Sequence, residues 1–250
     1  TAPSISANIE EGGSMYQASY KYNKNKQWDG TITRTKITAE GAVITDDPEN
    51  WDAETMMPGP DSRNIWTHFQ GEISNSSTAN INNFTRSNSA QINSLFNVLG
   101  RTVTDYHRET AAPSGSTHQM RCFGSTSSSR MPENDIADDI KGLISFVRGE
   151  DYFDYDGDCN LIEERNKTLG DIYHSEIVRV GKAIAETAYV NNNQEAYYRS
   201  INGYDTWASG APATRQNLVY AGGNDGMIHA FNAITGAEEW AFVPPFMAGL

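Results

Sequence analysis

The chain has 250 residues, with 19 Lys and Arg against 32 Asp and Glu, so its formal net charge is −13. This acidic balance argues against nucleic-acid binding and against docking on anionic lipid, because both need clustered lysine and arginine. No apolar stretch approaches the roughly 20 residues that span a bilayer. We therefore expect no nucleic-acid partner and no membrane span in this chain, and its length allows one sizeable core.

The N-terminal part of the chain predicts β-strands. Residues 15–22 alternate between apolar and polar side chains, which is typical of a half-buried strand. The residues predicted on its apolar face are Tyr16, Ala18, Tyr20 and Tyr22. Residues 31–38 are rich in β-branched side chains and predict a second strand, and residues 63–69 predict a third, shorter one.

Two amphipathic helices are predicted in the middle of the chain. The stronger one covers residues 135–148, where Asn134 can cap the first turn and Gly149 ends the last. Its apolar stripe consists of Ile136, Ile140, Leu143, Ile144 and Val147. Ile92, Leu95, Phe96 and Leu99 fit a shorter helix closed by Gly100.

The last third of the chain returns to strand patterns. Residues 171–174 and 177–180 predict two short strands, and three more follow at residues 217–220, 227–231 and 239–243. The turn that joins the strands at residues 217–220 and 227–231 contains Asp225-Gly226, a strong hairpin signal because primed turns need positive φ. A meander of this kind builds the blades of β-propellers.

Several segments together resemble one known family. Residues 222–231 (GGNDGMIHAF) and 235–244 (TGAEEWAFVP) resemble the blade signature of PilC/PilY-type proteins, which are type IV pilus biogenesis factors and tip adhesins. Upstream, residues 169–175 (LGDIYHS), 146–149 (FVRG) and 28–30 (WDG) resemble further elements of that family in the same order. Ile177 stands where the family usually has proline.

The resemblance implies a mainly β fold, a partial β-propeller with quinoprotein-like blades. Residues 1–250 are then the N-terminal part of a propeller domain that continues past Leu250. Within it, residues 1–168 form a lead-in of strands, loops and helix, and residues 169–250 hold the first clear blade elements.

The resemblance also implies a non-enzymatic function. Such a protein helps pilus assembly by meeting minor pilins in the pilus tip complex, and contacts host or abiotic surfaces from the tip. It would be exported through the periplasm and act outside the cell, at the cell surface. Two alternatives stay open: a dehydrogenase propeller that uses pyrroloquinoline quinone, whose blades look similar, and a purely structural secreted propeller.

An acidic loop over residues 149–164 is a candidate calcium site. Its oxygen-bearing side chains alternate around Gly157 and could converge on one hard cation. The candidate ligands are Asp154, Asp156, Asp158 and Asn160, with Glu163 or Glu164 closing the shell. The loop departs from the EF-hand pattern, and a solvated acidic loop without metal is the alternative.

The remaining candidates are cysteines and histidines. Cys122 and Cys159 are the two cysteines of the chain, and we expect a disulfide between them because the composition looks extracellular. Two free cysteines are the alternative. His174 and Ser175 would point to opposite faces of a strand, so they predict no catalytic triad. His229 is interpreted as a packed hairpin residue, not a ligand.

Overall fold

The computed structural model describes residues 13–24, 28–38, 40–69, 82–98, 136–152 and 163–249, which form two β-sheets with helices beside them. Among these residues the sheets are open, and no closed propeller is found. The sheet-rich architecture agrees with the predicted mainly β class. The propeller itself stays a prediction.

The first sheet is built on a long hairpin. Strands β1 (Ser14–Lys21) and β2 (Asp29–Ile37) pair antiparallel along their whole length, as the alternation predicted. Two short strands, β3 (Val43–Ile44) and β4 (Trp51–Asp52), pair with β2 on its other edge.

The second sheet contains the predicted meander. Its four consecutive antiparallel strands are β6 (Val178–Val180), β7 (Leu218–Gly222), β8 (Ile228–Asn232) and β9 (Glu238–Phe242). Strand β5 (Ile65–Trp66), from the N-terminal part of the chain, adds to β9 in parallel. The lead-in therefore supplies an edge strand to the sheet that carries the blade signature.

Four helices accompany the sheets in the described residues. They are α1 (Ser89–Val98), α2 (Ile136–Arg148), α3 (Glu195–Ile201) and α4 (Tyr204–Ala208). The first two confirm the sequence prediction. The other two were not predicted, because their surroundings are polar and they bury almost no side chain, so no apolar stripe marks them.

The strand predicted at residues 171–174 is wrong. This segment is extended but forms no ladder, and Gly170 makes only an isolated bridge with Asp29. His174 adopts a φ of 63°, which is incompatible with strand geometry. The backbone of Asp171 bonds the turn at Asn224 instead of a neighbouring strand.

Two apolar clusters cover the same face of the second sheet, because Ala221 of one cluster and Ala241 of the other are both register partners of His229. In the first cluster, helices α1 and α2 pack against the sheet through residues such as Ile92 and Ile144, both fully buried. In the second, the first sheet contributes Ile32 beside Val219 and Phe231 of the second sheet. Both sheets and the connection between them therefore share one core.

A glycine allows the closest approach between the first sheet and the 169–175 segment. The Gly30 N–H donates to the Leu169 carbonyl at 3.3 Å. A Cβ on Gly30 would overlap the carbonyl oxygen of Gly170, which is backbone and cannot rotate away.

We expect Gly30→Ala to lower the free energy of unfolding by about 3 kcal/mol, at the upper end of overpacking effects. Gly222→Ala is the matched control, because it also lies in a strand and its Cβ would meet only Ser175 Oγ at 3.4 Å. Urea unfolding of both variants measures the difference. Equal effects of the two substitutions would contradict this close approach.

Candidate functional site

Four buried side chains form one charged group where the second sheet meets helix α2. We call Arg63, Asp225, His229 and Glu238 the buried charge cluster. The guanidinium of Arg63 donates to both carboxylate oxygens of Glu238, from Nε at 2.7 Å and from Nη2 at 2.8 Å. Both side chains are fully buried. This bidentate geometry is the strong form of an arginine–carboxylate pair.

His229 extends the pair into a chain of charges. Its Nδ1 lies 2.7 Å from Glu238 Oε1, and its Nε2 lies 3.1 Å from both carboxylate oxygens of Asp225. Because each ring nitrogen faces a carboxylate, both must carry a proton to donate. The cluster then holds two positive and two negative charges and is neutral as a whole.

Local structure explains how the four residues meet. Strands β8 and β9 pair antiparallel with His229 opposite Ala241, and the register shift after Ala230 brings Glu238 opposite Phe231, two positions from His229 on the same face. Asp225 sits in the turn that leads into β8, where Gly226 has a φ of +82°. Arg63 comes just before β5, and β5 lies next to β9.

The cluster also fixes the end of helix α2. Arg63 Nη1 donates to the carbonyls of Val147 at 3.0 Å and Arg148 at 3.1 Å, which have no partner within the helix. The Arg148 side chain bonds Arg63 in the other direction, since its Nη2 donates to the Arg63 backbone carbonyl at 2.7 Å. Its Nη1 donates to the Phe84 carbonyl at 3.2 Å.

Asp225 connects the cluster to the segment at residues 169–175. Its carboxylate accepts hydrogen bonds from the backbone N–H groups of Gly170 and Met227, both at 3.1 Å. Next to it, the Asn224 side chain donates to the Asp171 carboxylate at 2.7 Å. Segments separated by more than 150 residues of sequence therefore meet around four side chains.

The pKa values of His229, Glu238 and Asp225 are all shifted in the direction that favours the charged form. Burial alone would lower the pKa of His229, but the Asp225 carboxylate and the bonds to Asp225 and Glu238 raise it to about 9. Burial would raise the pKa of Glu238, but Arg63 and His229 outweigh this and lower it to about 2. Asp225 likewise has a lowered pKa despite burial, because His229 is charged.

This arrangement does not suit proton transfer. His229 is fully buried and charged at neutral pH, with both nitrogens engaged, so it cannot accept a proton as a general base. The prediction that His229 is a packed residue is confirmed. Its chemistry is that of a charged crosslink between β8, β9 and the preceding turn.

One cavity of about 220 Å³ adjoins the cluster. It is lined by Phe146, Val147, Arg165, Asn224, Asp225 and Met227. The Arg165 guanidinium stacks on the Phe146 ring at 4.0 Å and Nη2 donates to the Phe146 carbonyl at 3.0 Å. The cavity lining therefore combines apolar side chains with one cation, Arg165, and one carboxylate, Asp225.

The predicted calcium ligands fall mostly outside the described residues. Asp154, Asp156, Asp158 and Asn160 all do, and so do both cysteines of the predicted disulfide, Cys122 and Cys159. These predictions stay predictions.

The two glutamates predicted to close the shell are described. Glu163 is half-buried, and its backbone carbonyl accepts a hydrogen bond from the Asp151 N–H at 2.9 Å. Glu164 is exposed, and its backbone forms an isolated antiparallel β-bridge with Glu150. Within the ranges given above, no three His, Cys, Asp or Glu side chains are placed to hold a metal ion.

The other predicted histidine behaves differently from expectation. His174 is exposed and stands in a bend, not on a strand, so the opposite-faces argument does not apply. Ser175 instead has a structural role, because its Oγ accepts the Gly222 N–H at 2.9 Å. No helix in the described part of the chain has both the length and the apolar composition to cross a bilayer.

Arg63 and Glu238 were not predicted as site residues. The register shift after Ala230 places Glu238 opposite Phe231 and Trp240 opposite Ala230, so simple alternation along β9 does not mark Glu238 as inward-facing. Its partner Arg63 could not be identified from sequence, because it lies 175 positions away.

Comparison with curated proteins confirms the predicted resemblance. The chain is 29% identical to the type IV pilus biogenesis factor PilY1 of Pseudomonas aeruginosa strain UCBPP-PA14, over 97% of this chain and 18% of that protein. PilY1 of strain PAO1 is 27% identical with the same coverage. A PilY1 homolog of Xylella fastidiosa strain Temecula1 is 40% identical over 32% of this chain and 6% of that protein.

The chain thus spans less than a fifth of the length of the first of these relatives. No protein-family model matches it. No solved structure matches it either.

The cluster makes stability depend on pH. Because the pKa of His229 is raised from 6.5 to about 9, its contribution is complete below pH 6.5 and is lost as the pH rises to 9. We expect the free energy of unfolding to fall by about 3 kcal/mol across this window. Urea unfolding at several pH values measures it.

His229→Gln is the control for this pH dependence, since glutamine does not titrate. It should be less stable than the unchanged chain at pH 6.5 and show a flatter profile up to pH 9. Proton NMR of the His229 ring gives a second readout that needs no variant. A ring that loses its proton near pH 6.5 would contradict the assignment.

Proposed function

We propose that this chain is part of a type IV pilus biogenesis factor and works there as a non-enzymatic binding module. The observation that carries the proposal is the similarity to PilY1 along 97% of the chain. The chain spans 18% of that relative, so the activity of a whole protein is inferred for it, not observed.

The structure supports a scaffold role for the segments that resemble the family. The 169–175, 222–231 and 235–244 segments and the end of helix α2 all contact the buried charge cluster or its direct neighbours. The residues of these segments that form the cluster are buried and bonded to one another, which suits positioning of outer surfaces more than turnover of a substrate.

A surface suited to a protein partner lies between strands β6 and β7. We call residues 181–217 the helical excursion, which includes α3 and α4. It exposes large apolar side chains: Ile184, Tyr189, Val190, Tyr198, Ile201 and Trp207. Val190 is 92% exposed and Tyr198 is 68% exposed. Exposed apolar groups at this density mark interaction sites.

The charge of the helical excursion points to an apolar, uncharged partner surface. In a chain of net charge −13, this stretch carries three basic and three acidic residues and is neutral. These residues are Lys182, Arg199 and Arg215 against Glu186, Glu195 and Asp205. Two of the charges already pair with each other, since Arg199 Nη1 lies 3.0 Å from Glu195 Oε2.

We infer that the helical excursion contacts minor pilins during pilus assembly. We also propose that the protein lies at the pilus tip, outside the cell, and adheres there to host or abiotic surfaces. Tyrosine and tryptophan suit such contacts, because each joins a large apolar ring to a polar group.

Binding of purified minor pilins to the full chain tests the proposal. We expect Tyr198→Ser combined with Trp207→Ser to weaken binding about tenfold or more, because buried aromatic anchors dominate interface energetics. Biolayer interferometry measures the dissociation constants. Urea unfolding checks that the variant is folded.

Ile234→Ser is the matched control, since Ile234 is 64% exposed but lies in the β8–β9 turn outside the excursion. Its affinity should equal that of the unchanged chain. If the unchanged chain binds no minor pilin, the proposed function is wrong. If it binds and the double variant binds equally well, the surface is wrong but the function stands.

A further inference from the structure

Five aromatic rings form a continuous strip on the surface, where the β1–β2 hairpin meets the 169–175 segment. We call them the aromatic strip; its members are Tyr20, Tyr22, Trp28, Tyr173 and His174. The buried charge cluster does not include them, and neither does the helical excursion. The pilin contact proposed above does not use the strip.

Each ring contacts the next one along the strip. Trp28 stacks on Tyr20 with centroids 5.4 Å apart and meets the edge of Tyr22 at 5.2 Å. Tyr20 meets Tyr173 edge to face at 5.5 Å, and Tyr173 contacts His174 at 3.9 Å. Each contact limits ring motion, so the strip is held in shape before any ligand arrives.

Strand alternation explains why the strip is exposed. Tyr16 and Ala18 on one face of β1 are buried in the core, and Tyr20 and Tyr22 continue the same face beyond its edge. Tyr22 is 62% exposed and Tyr173 is 45% exposed. Tyr20 and Trp28 are half-buried, and His174 is exposed like Tyr22 and Tyr173.

The backbone at one end of the strip is strained. Among the residues that the structure describes, His174 is the one non-glycine residue with positive φ, at 63°. Left-handed geometry disfavours side chains with a Cβ, and glycine adopts it freely. Local strain of this kind clusters at functional sites, which here corresponds to the presentation of the His174 ring against Tyr173.

The charges beside the strip indicate a neutral ligand. Within two positions of the strip's members in the sequence stand three basic residues (Lys21, Lys24 and Lys26) and three acidic ones (Asp29, Asp171 and Glu176), so the local charge is balanced in a chain of net charge −13. The strip is also open, and the cavity described above lies elsewhere in the fold. A quaternary ammonium ion would instead need rings that enclose it.

We propose that the aromatic strip binds a neutral carbohydrate. The C–H face of a sugar ring packs on an exposed aromatic face, and the tyrosine hydroxyls at the strip can exchange hydrogen bonds with sugar hydroxyls. A polyhydroxylated neutral ring matches both the apolar faces and the balanced charge. This inference is independent of pilin binding.

Affinity gel electrophoresis of the full chain tests the proposal. Native gels contain dextran, amylose, galactomannan or mixed-linkage β-glucan as neutral probes, and alginate as an acidic one. We expect retardation by at least one neutral polysaccharide and none by alginate. Tyr22→Ala combined with Tyr173→Ala should weaken the association about tenfold or more.

Tyr198→Ala is the matched control, because Tyr198 is at least as exposed as Tyr22 and Tyr173 but lies in the helical excursion. It should leave retardation unchanged. His174→Gly separates binding from folding: it relieves the strain, so stability should not fall, while binding weakens through loss of the ring.

Two results would overturn the carbohydrate proposal. One is no retardation by any neutral polysaccharide, whether or not alginate retards the chain. The other is neutral binding that the Tyr22 and Tyr173 substitutions leave unchanged.

Discussion

The bidentate pair between Arg63 and Glu238 is the interaction on which the rest of this structure depends. Both side chains are fully buried, so each needs the other's charge. Glu238 also bonds His229, and His229 bonds Asp225. Arg63 in turn bonds the carbonyls that end helix α2. One ion pair thereby determines the relative positions of the helix, the second sheet and the turn at Asp225.

The same pair gives a physical meaning to the resemblance. The LGDIYHS and FVRG segments each bond a member of the buried charge cluster, and the NDG segment supplies one of its members, Asp225, which bonds His229. A sequence pattern spread over the chain is therefore one packed structure. Surfaces without such constraints, the helical excursion and the aromatic strip, are where binding is proposed.

Much of the fold was predictable from local patterns, and most of the site was not. The β1–β2 hairpin, helix α2 and the β7–β8–β9 meander follow from periodicity and turn residues, which are local properties. The pairing of β5 with β9 and of Arg63 with Glu238 depends on contacts across 175 positions. Helices α3 and α4 lack a buried face, so periodicity gave no signal for them.

The central claim is that the buried charge cluster holds the fold together, and one difference in stability tests it most directly. Glu238→Gln removes a buried charge, whereas Glu239→Gln changes the next residue of β9, whose carboxylate bonds only Gln216 and Asn232 in the described structure. Removing one partner of a buried ion pair lowers the free energy of unfolding by about 3–5 kcal/mol. Replacing a partly exposed carboxylate lowers it by less than about 1 kcal/mol. Urea unfolding at pH 6 should show that gap. Equal losses in the two variants would contradict the account.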